Sequence, residues 1–177
     1  MIPTEEQAKA LWDKYGLPDS KRRHVMLVAK VAKFLAQHFQ VNEKLLVAGA
    51  LLHDIDKAAK KLPGERHPDA AVRILREEGM AEVADLVKTH PLHAILDPNI
   101  VPKSWEEKLL YLADKMVKYE VITVDLRFKL WNDEHLPADA QAVLDAAYPK
   151  VKQLESEILG IAGLNAEQIC NFVGGRV

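Results

Sequence analysis

The sequence of 177 residues is poor in several features, and each shortage excludes a class of protein. Its single cysteine, Cys170, cannot form an internal disulfide, so nothing requires an oxidising compartment. The longest apolar run, Leu45–Leu52, is too short to cross a membrane. The N-terminus lacks the basic-then-apolar order of a signal peptide. These absences predict a cytoplasmic protein that does not associate with membranes.

Charge and glycine usage argue against two further classes. The 24 basic and 26 acidic residues give a net charge of −2, and the basic residues are spread along the chain. We therefore expect no nucleic-acid partner. Only eight glycines occur, and the pattern G-x-x-x-x-G-K is missing, so we expect no glycine-rich loop that binds phosphate.

Helical signals are present along nearly the whole chain. Thr4 with Gln7 and Ser104 with Glu107 form capping boxes, and Asp19 or Ser20 can cap a second helix. A third helix is predicted from Glu43 to about Lys60, and a sixth runs through "WEEKLLYLADKMVKYEVI". Pro149 is expected to break or kink the long helix near the C-terminus. No segment has the period of a strand, so the sequence predicts an all-α, compact single-domain helical bundle.

Polar residues interrupt the most apolar helices. In "GALLHDIDK" the side chains of His53 and Asp54 close the most hydrophobic helix, and Asp114 ends the apolar run in "LLYLADKM". His24 lies beside the apolar stripe of the second helix. Burying such groups is costly without compensation, and a divalent cation supplies it. Taken singly, each residue has a plain structural explanation as a core histidine, a cap or an ion-pair partner.

The ligand types indicate which metal is preferred. Adjacent helical residues point about 100° apart, so His53 and Asp54 can flank one ion while His24 and Asp114 approach from other helices. This set of two imidazoles and two carboxylates, without a thiolate, favours manganese, iron, cobalt, nickel or magnesium over structural zinc.

The order His24, His53-Asp54, Asp114 resembles the H…HD…D signature of the HD-domain superfamily of metal-dependent phosphohydrolases. The resemblance covers roughly residues 21–129. It implies an all-helical core at about 20–130, with a helical extension at 137–177, inside one domain of residues 1–177. His67 and His90 match positions where binuclear members carry extra metal-binding histidines, which implies a second ion bridged by Asp54. We therefore expect one or two divalent ions: manganese, iron, nickel or cobalt, with magnesium also compatible.

The family pattern has a small residue where this chain has Asp56 in "HDIDK". Two alternatives stay open for Asp56: it adds negative charge beside the metal or hydrogen-bonds near it, or it points to solvent from the end of the helix.

The resemblance implies hydrolysis of a phosphate mono- or diester in a nucleotide-like small molecule by metal-activated water. Asp54, Lys57 and His93 are the expected catalytic residues, and Arg23, Lys57 and Arg127 are the expected substrate-binding residues. A dinucleoside-polyphosphate hydrolase is a narrower alternative. A non-catalytic HD domain that binds metal and nucleotide, or that serves as a scaffold, is an alternative of another class. Apolar positions after residue 140 are expected to pack against the core or a second subunit, so a homodimer is one expected outcome.

Overall fold

The computed structural model describes residues 1–174, and over that range the chain forms nine α-helices and one short 3-10 helix, with no β-strand. The prediction of an all-α single-domain bundle is confirmed. The helices are α1 Glu5–Lys14, α2 Asp19–Ala36, α3 Glu43–Leu52, α4 Asp69–Glu77, α5 Ala81–Lys88, α6 Trp105–Lys115, α7 Val124–Asp133, α8 Ala138–Ala162 and α9 Ala166–Gly174, and the 3-10 helix is Leu92–Leu96.

Local capping explains several helix starts. Both predicted capping boxes form: the Thr4 side chain accepts from the backbone N–H of Gln7, and that of Ser104 accepts from Glu107. The predicted cap of α2 is wrong, because this helix begins at Asp19 directly after Pro18 and has no side-chain cap. The carbonyl of Pro18 accepts the backbone N–H groups of Lys21 (2.8 Å) and Arg22 (2.9 Å) at this helix start.

Helix α3 lies in the middle of the core, where α2, α5, α6 and α1 pack around it. It ends at Leu52, eight residues before the predicted end at Lys60. Three polar residues follow Leu52 within four positions and are buried by tertiary contacts, so the chain continues as turns instead of as a helix. The indole N–H of Trp12 donates to the carbonyl of Leu51 (2.8 Å) and fixes this end of α3 to α1.

The sixth helix is also shorter than predicted, since α6 ends at Lys115. The backbone then forms a small bridge between Val117 and Val121 before α7 begins. This early end leaves Asp114 and Lys115 in the last turn of α6, where Asp114 contacts His24 of α2 and Lys115 contacts the carbonyl of His90, two residues after α5.

The C-terminal part packs on the rest of the chain. Of the break or kink predicted at Pro149, the break is wrong, because α8 continues from Ala138 to Ala162 with the proline inside it. The expected packing against the core is confirmed for five of the apolar positions that the sequence indicates, which are buried within one chain: Leu144, Val151, Leu154, Ile158 and Leu159. The proposed boundaries of the core and its extension stay predictions. None of the helices in residues 1–174 is both long and apolar enough to cross a membrane.

Candidate metal centre

Three predicted ligands from distant parts of the chain meet in space. His24 lies on α2, His53 caps the end of α3, and Asp114 lies in the last turn of α6. His24 Nε2 is 3.0 Å and His53 Nε2 is 3.4 Å from the same Asp114 oxygen, Oδ1. One ligand atom from each residue lies within 4.8 Å of the others, a spacing that can accommodate one cation.

A second group shares His53 with the first. It consists of His53, Asp54 and His90, again with one ligand atom from each within 4.8 Å. All three residues are buried. His53 is the C-cap residue of α3 with helical backbone angles, Asp54 follows it in a turn, and both residues reach one cluster.

Backbone carbonyls orient two of the imidazoles. His53 Nδ1 lies 2.8 Å from the carbonyl oxygen of Ala50, and His90 Nδ1 lies 2.5 Å from that of Val87. A carbonyl can only accept, so each Nδ1 carries the proton and each Nε2 is turned into the cluster. This arrangement is typical of metal-ligating histidines. His53 Nε2 is buried and makes no hydrogen bond to any residue of 1–174, so these residues fit a bound ion.

Electrostatics also favours a cation. Burial would raise the pKa of Asp54, but His53 and Lys57 hold it well below its ordinary value. Burial opposes the ionisation of Asp114 as well, yet Lys115 and His24 hold the pKa of its carboxyl well below normal. The pKa of His90 is lowered by burial and by His53 and His67. The cluster therefore contains ionised carboxylates and a neutral imidazole, the forms that bind metal.

The raised pKa of His53 also shows that positive charge is favoured at this cluster. Burial alone would lower the pKa of its imidazole, but the carboxylates of Asp54 and Asp114 outweigh burial and raise it. A proton or a metal ion at Nε2 supplies this positive charge.

Sequence reasoning missed Lys115. Its side chain is only 1% exposed, and its Nζ donates to the carbonyl of His90 (2.6 Å) and to Asp114 Oδ2 (2.7 Å). Nζ also lies 4.2 Å from the ring centre of Tyr111. The available signal was a lysine directly after Asp114 in an otherwise apolar run.

His67 approaches the second group from the segment that precedes α4. Its Nε2 lies 2.9 Å from His90 Nε2 and 3.7 Å from Asp54 Oδ1. Its Nδ1 lies 2.9 Å from Asp56 Oδ1. Of the two alternatives for Asp56, the structure excludes the solvent-facing one, because this residue is fully buried.

A cavity of about 610 Å³ opens beside the cluster. Five positively charged side chains and three carboxylates line it: Lys21, Lys57, Lys115, Lys118, Arg127, Asp54, Asp114 and Glu134. Tyr119 and Trp131 contribute aromatic surface. Lys57 Nζ lies 3.4 Å and Lys21 Nζ 3.2 Å from Asp54 oxygens, which leaves both amines at the cavity wall.

The remaining predicted site residues differ in position. Arg127 lines the cavity, with its guanidinium carbon 4.0 Å from the ring centre of Trp131. His93 is exposed at the cavity wall. Arg23 is exposed and does not line this cavity; it lies on a neighbouring depression with Lys118 and Tyr119. The catalytic and binding roles of these residues stay predictions.

The helical fold and the H…HD…D cluster define a class of protein. Residues 22–118 match the family model "HD domain", so this chain belongs to the HD-domain family. This match confirms the resemblance seen in the sequence.

Comparison with curated proteins adds particular relatives. The chain is 28% identical over 179 residues to the tRNA (cytidine(56)-2′-O)-methyltransferase of Picrophilus torridus, an alignment that covers 95% of this chain and 50% of the relative. It is 32% identical over 146 residues to the enzyme of the same name from Thermoplasma volcanium, covering 73% of this chain and 43% of the relative. The chain thus spans about half the length of these relatives. No significant match to a solved structure was found.

These names correct four expectations. The relatives are named as RNA methyltransferases, so the predictions of a phosphohydrolase and of a dinucleoside-polyphosphate hydrolase are wrong. The expectations of a small-molecule substrate and of no nucleic-acid partner are wrong for the same reason. Histidine and carboxylate ligands indicate a metal, but they do not specify the reaction at it. Net charge averages over the whole surface and conceals the cations concentrated in one cavity.

Proposed function

We propose that this chain acts in the 2′-O-methylation of tRNA, as the domain that binds the ribose–phosphate backbone of the substrate beside a divalent metal. The names of the two relatives support the tRNA substrate. Because the chain spans about half of each relative, the proposal assigns it RNA binding rather than the whole reaction.

The observation that carries the proposal is the cavity, where lysine and arginine side chains exceed carboxylates five to three beside a cluster suited to a metal. Phosphate oxygens are the RNA groups that such cations attract most strongly. Lys57 and Arg127 are the cavity cations assigned to phosphate. Trp131 and Tyr119 offer surfaces on which an unpaired base can stack, which is how proteins commonly bind unpaired RNA.

We propose one or two divalent transition-metal ions, manganese, iron, nickel or cobalt, with magnesium as a further candidate. His24, His53, Asp54 and Asp114 would hold the first ion, and His67 and His90, with Asp54 between the two positions, would hold the second. A bound ion would supply positive charge to a phosphate or ribose oxygen. The protein itself supplies the ionised carboxylates, the oriented imidazoles and the lysines that line the approach.

Binding of a tRNA transcript that carries the cytidine at position 56 tests the proposal. Affinity is measured at several salt concentrations for the parent chain, for Lys57→Ala and for Arg127→Ala. Each substitution should weaken binding and lower the slope of log affinity against log salt by about one, the value expected for one lost phosphate contact. Lys9→Ala is the control, because Lys9 pairs with Glu5 on the surface of α1 and does not line the cavity.

Two results would contradict the proposal. The first is a parent chain that does not bind the transcript. The second is a pair of cavity variants that bind as tightly as Lys9→Ala. A separate incubation with S-adenosylmethionine that carries a labelled methyl group shows whether methyl transfer itself occurs in this domain. If it does, the labelled methyl group is found on the 2′-oxygen of that cytidine.

A further inference from the structure

Two imidazole rings face each other nitrogen to nitrogen beside the cluster. Nε2 of His67 and Nε2 of His90 are 2.9 Å apart. His90 donates its Nδ1 proton to the carbonyl of Val87. His67 Nδ1 lies 2.9 Å from Asp56 Oδ1, so a proton on Nδ1 is donated to this carboxyl oxygen and leaves Nε2 with a lone pair. In their neutral forms, both rings therefore direct lone pairs at each other.

A cation between the two nitrogens would remove the repulsion between these two lone pairs. Imidazole nitrogens bind metals at about 2.0–2.1 Å, so two ligands at a right angle are about 3 Å apart, close to the observed spacing. Asp54 Oδ1 lies 3.7 Å from His67 Nε2, and Asp54 and His90 belong to the same group of ligand atoms within 4.8 Å. The three side chains can thus share one ion.

We infer that Asp56 is the positioning residue for this second metal. It is fully buried, and it fixes the tautomer and ring direction of His67 through a 2.9 Å hydrogen bond. His67 needs such support more than the other imidazoles do. It lies outside any helix and its side chain is 21% exposed, whereas His53 and His90 are 1% exposed and bound by neighbouring carbonyls.

Within residues 1–174, the contacts of Asp56 show no other role for this residue. Its second oxygen, Oδ2, is buried and makes no hydrogen bond within that part of the chain. A carboxylate buried only for stability would be expected to satisfy both oxygens. A carboxylate that orients a ligand needs one of them, and it also makes the imidazole a better electron-pair donor.

The inference rests on the metal centre of the proposed function but not on tRNA binding. The test uses the metal-stripped chain and Co²⁺ as the probe, with calorimetric titration of the parent chain, Asp56→Ala and Asp56→Asn. The parent should bind two ions. Asp56→Ala should weaken the second binding event by about 10–100-fold, the usual effect of losing such a partner, and leave the first unchanged. Asp56→Asn, which keeps an acceptor without the charge, should weaken it less.

A second readout does not involve metal. In ¹⁵N NMR spectra of the metal-free chain, His67 should be protonated at Nδ1 in the parent and in Asp56→Asn, and should shift toward the Nε2 tautomer in Asp56→Ala. Asp85→Ala is the control, since Asp85 is 67% exposed and pairs with Arg76.

Three results would overturn the inference. One is a second Co²⁺ that binds Asp56→Ala and Asp56→Asn as tightly as the parent. Another is an Nδ1 proton on His67 that persists without Asp56. The third is a parent that binds a single ion, which would mean that a shared proton separates the two imidazoles. A parent that binds no Co²⁺ would refute the metal centre as a whole. If Asp56→Ala does not fold, the Co²⁺ affinity of Asp56→Asn tests the inference.

Discussion

Lys115→Met removes a buried cation while preserving the length of the side chain. Lys115 is 1% exposed, and its ammonium bonds Asp114 Oδ2 at 2.7 Å. In the variant, the Asp114 carboxylate, whose side chain is 17% exposed, keeps His24 and His53 beside it but loses its cation. Breaking a buried ion pair by removing one partner costs about 3–5 kcal/mol. For a chain of this size, that cost corresponds to a fall of about 6–20 °C in the melting temperature.

Lys108→Met is the matched control. Lys108 lies on the same helix and also contacts one carboxylate and one aromatic ring, with Nζ 2.8 Å from Glu157 and 4.6 Å from the ring centre of Trp105. Its side chain is 21% exposed and that of Glu157 is 43% exposed, so water screens the pair. We expect a cost of at most about 1 kcal/mol.

Urea denaturation and thermal scans of the metal-free chain measure both variants. If Lys115→Met loses no more stability than Lys108→Met, the Asp114 carboxylate does not depend on Lys115 and the electrostatic account of the cluster is wrong. Saturating Co²⁺ should restore part of the loss in Lys115→Met, because a divalent ion supplies the missing charge to Asp114.

Three further outcomes are expected. His53→Asn removes the ligand common to both groups, so metal affinity by calorimetry should fall at least about tenfold, whereas exposed His135→Ala should bind as the parent does. The lowered pKa of Asp114 stabilises the fold above about pH 4, and this contribution is lost as the pH falls through the folded-state pKa; Asp114→Asn should flatten the acid limb of a stability–pH curve. Gly163→Ala, at the C-cap of α8 with φ +66°, should cost about 1–2 kcal/mol in urea denaturation, while Gly160→Ala inside α8 should stabilise by up to about 1 kcal/mol. Equal signs for the two glycines would contradict the backbone argument.

Much of the fold could be predicted because helix signals are local. Thr4 and Ser104 cap their helices through contacts three residues away, and the apolar period needs only one face to be buried. The end of α3 could not be predicted in the same way. Residues 53–60 favour a helix by their composition, but the contacts of His53 and Asp56 with distant residues replace the helical path.

The reaction could not be predicted from local sequence patterns either. The cavity side chains suit any phosphate-bearing ligand, and the proposal of a tRNA substrate rests on the names of the relatives. A net charge of −2 concealed the basic cavity, because composition contains no information about where charges lie.

The sequence by itself determined the all-α class and the types of ligand, since both depend on short-range patterns and on the chemistry of imidazoles and carboxylates. Tertiary structure alone decided that His24 and Asp114, 90 residues apart, lie 3.0 Å from each other. It also decided that Lys115 is buried beside Asp114 and that Asp56 is buried beside His67. Burial and charge pairing depend on which helices pack together, and packing arises from the whole core and not from any one segment.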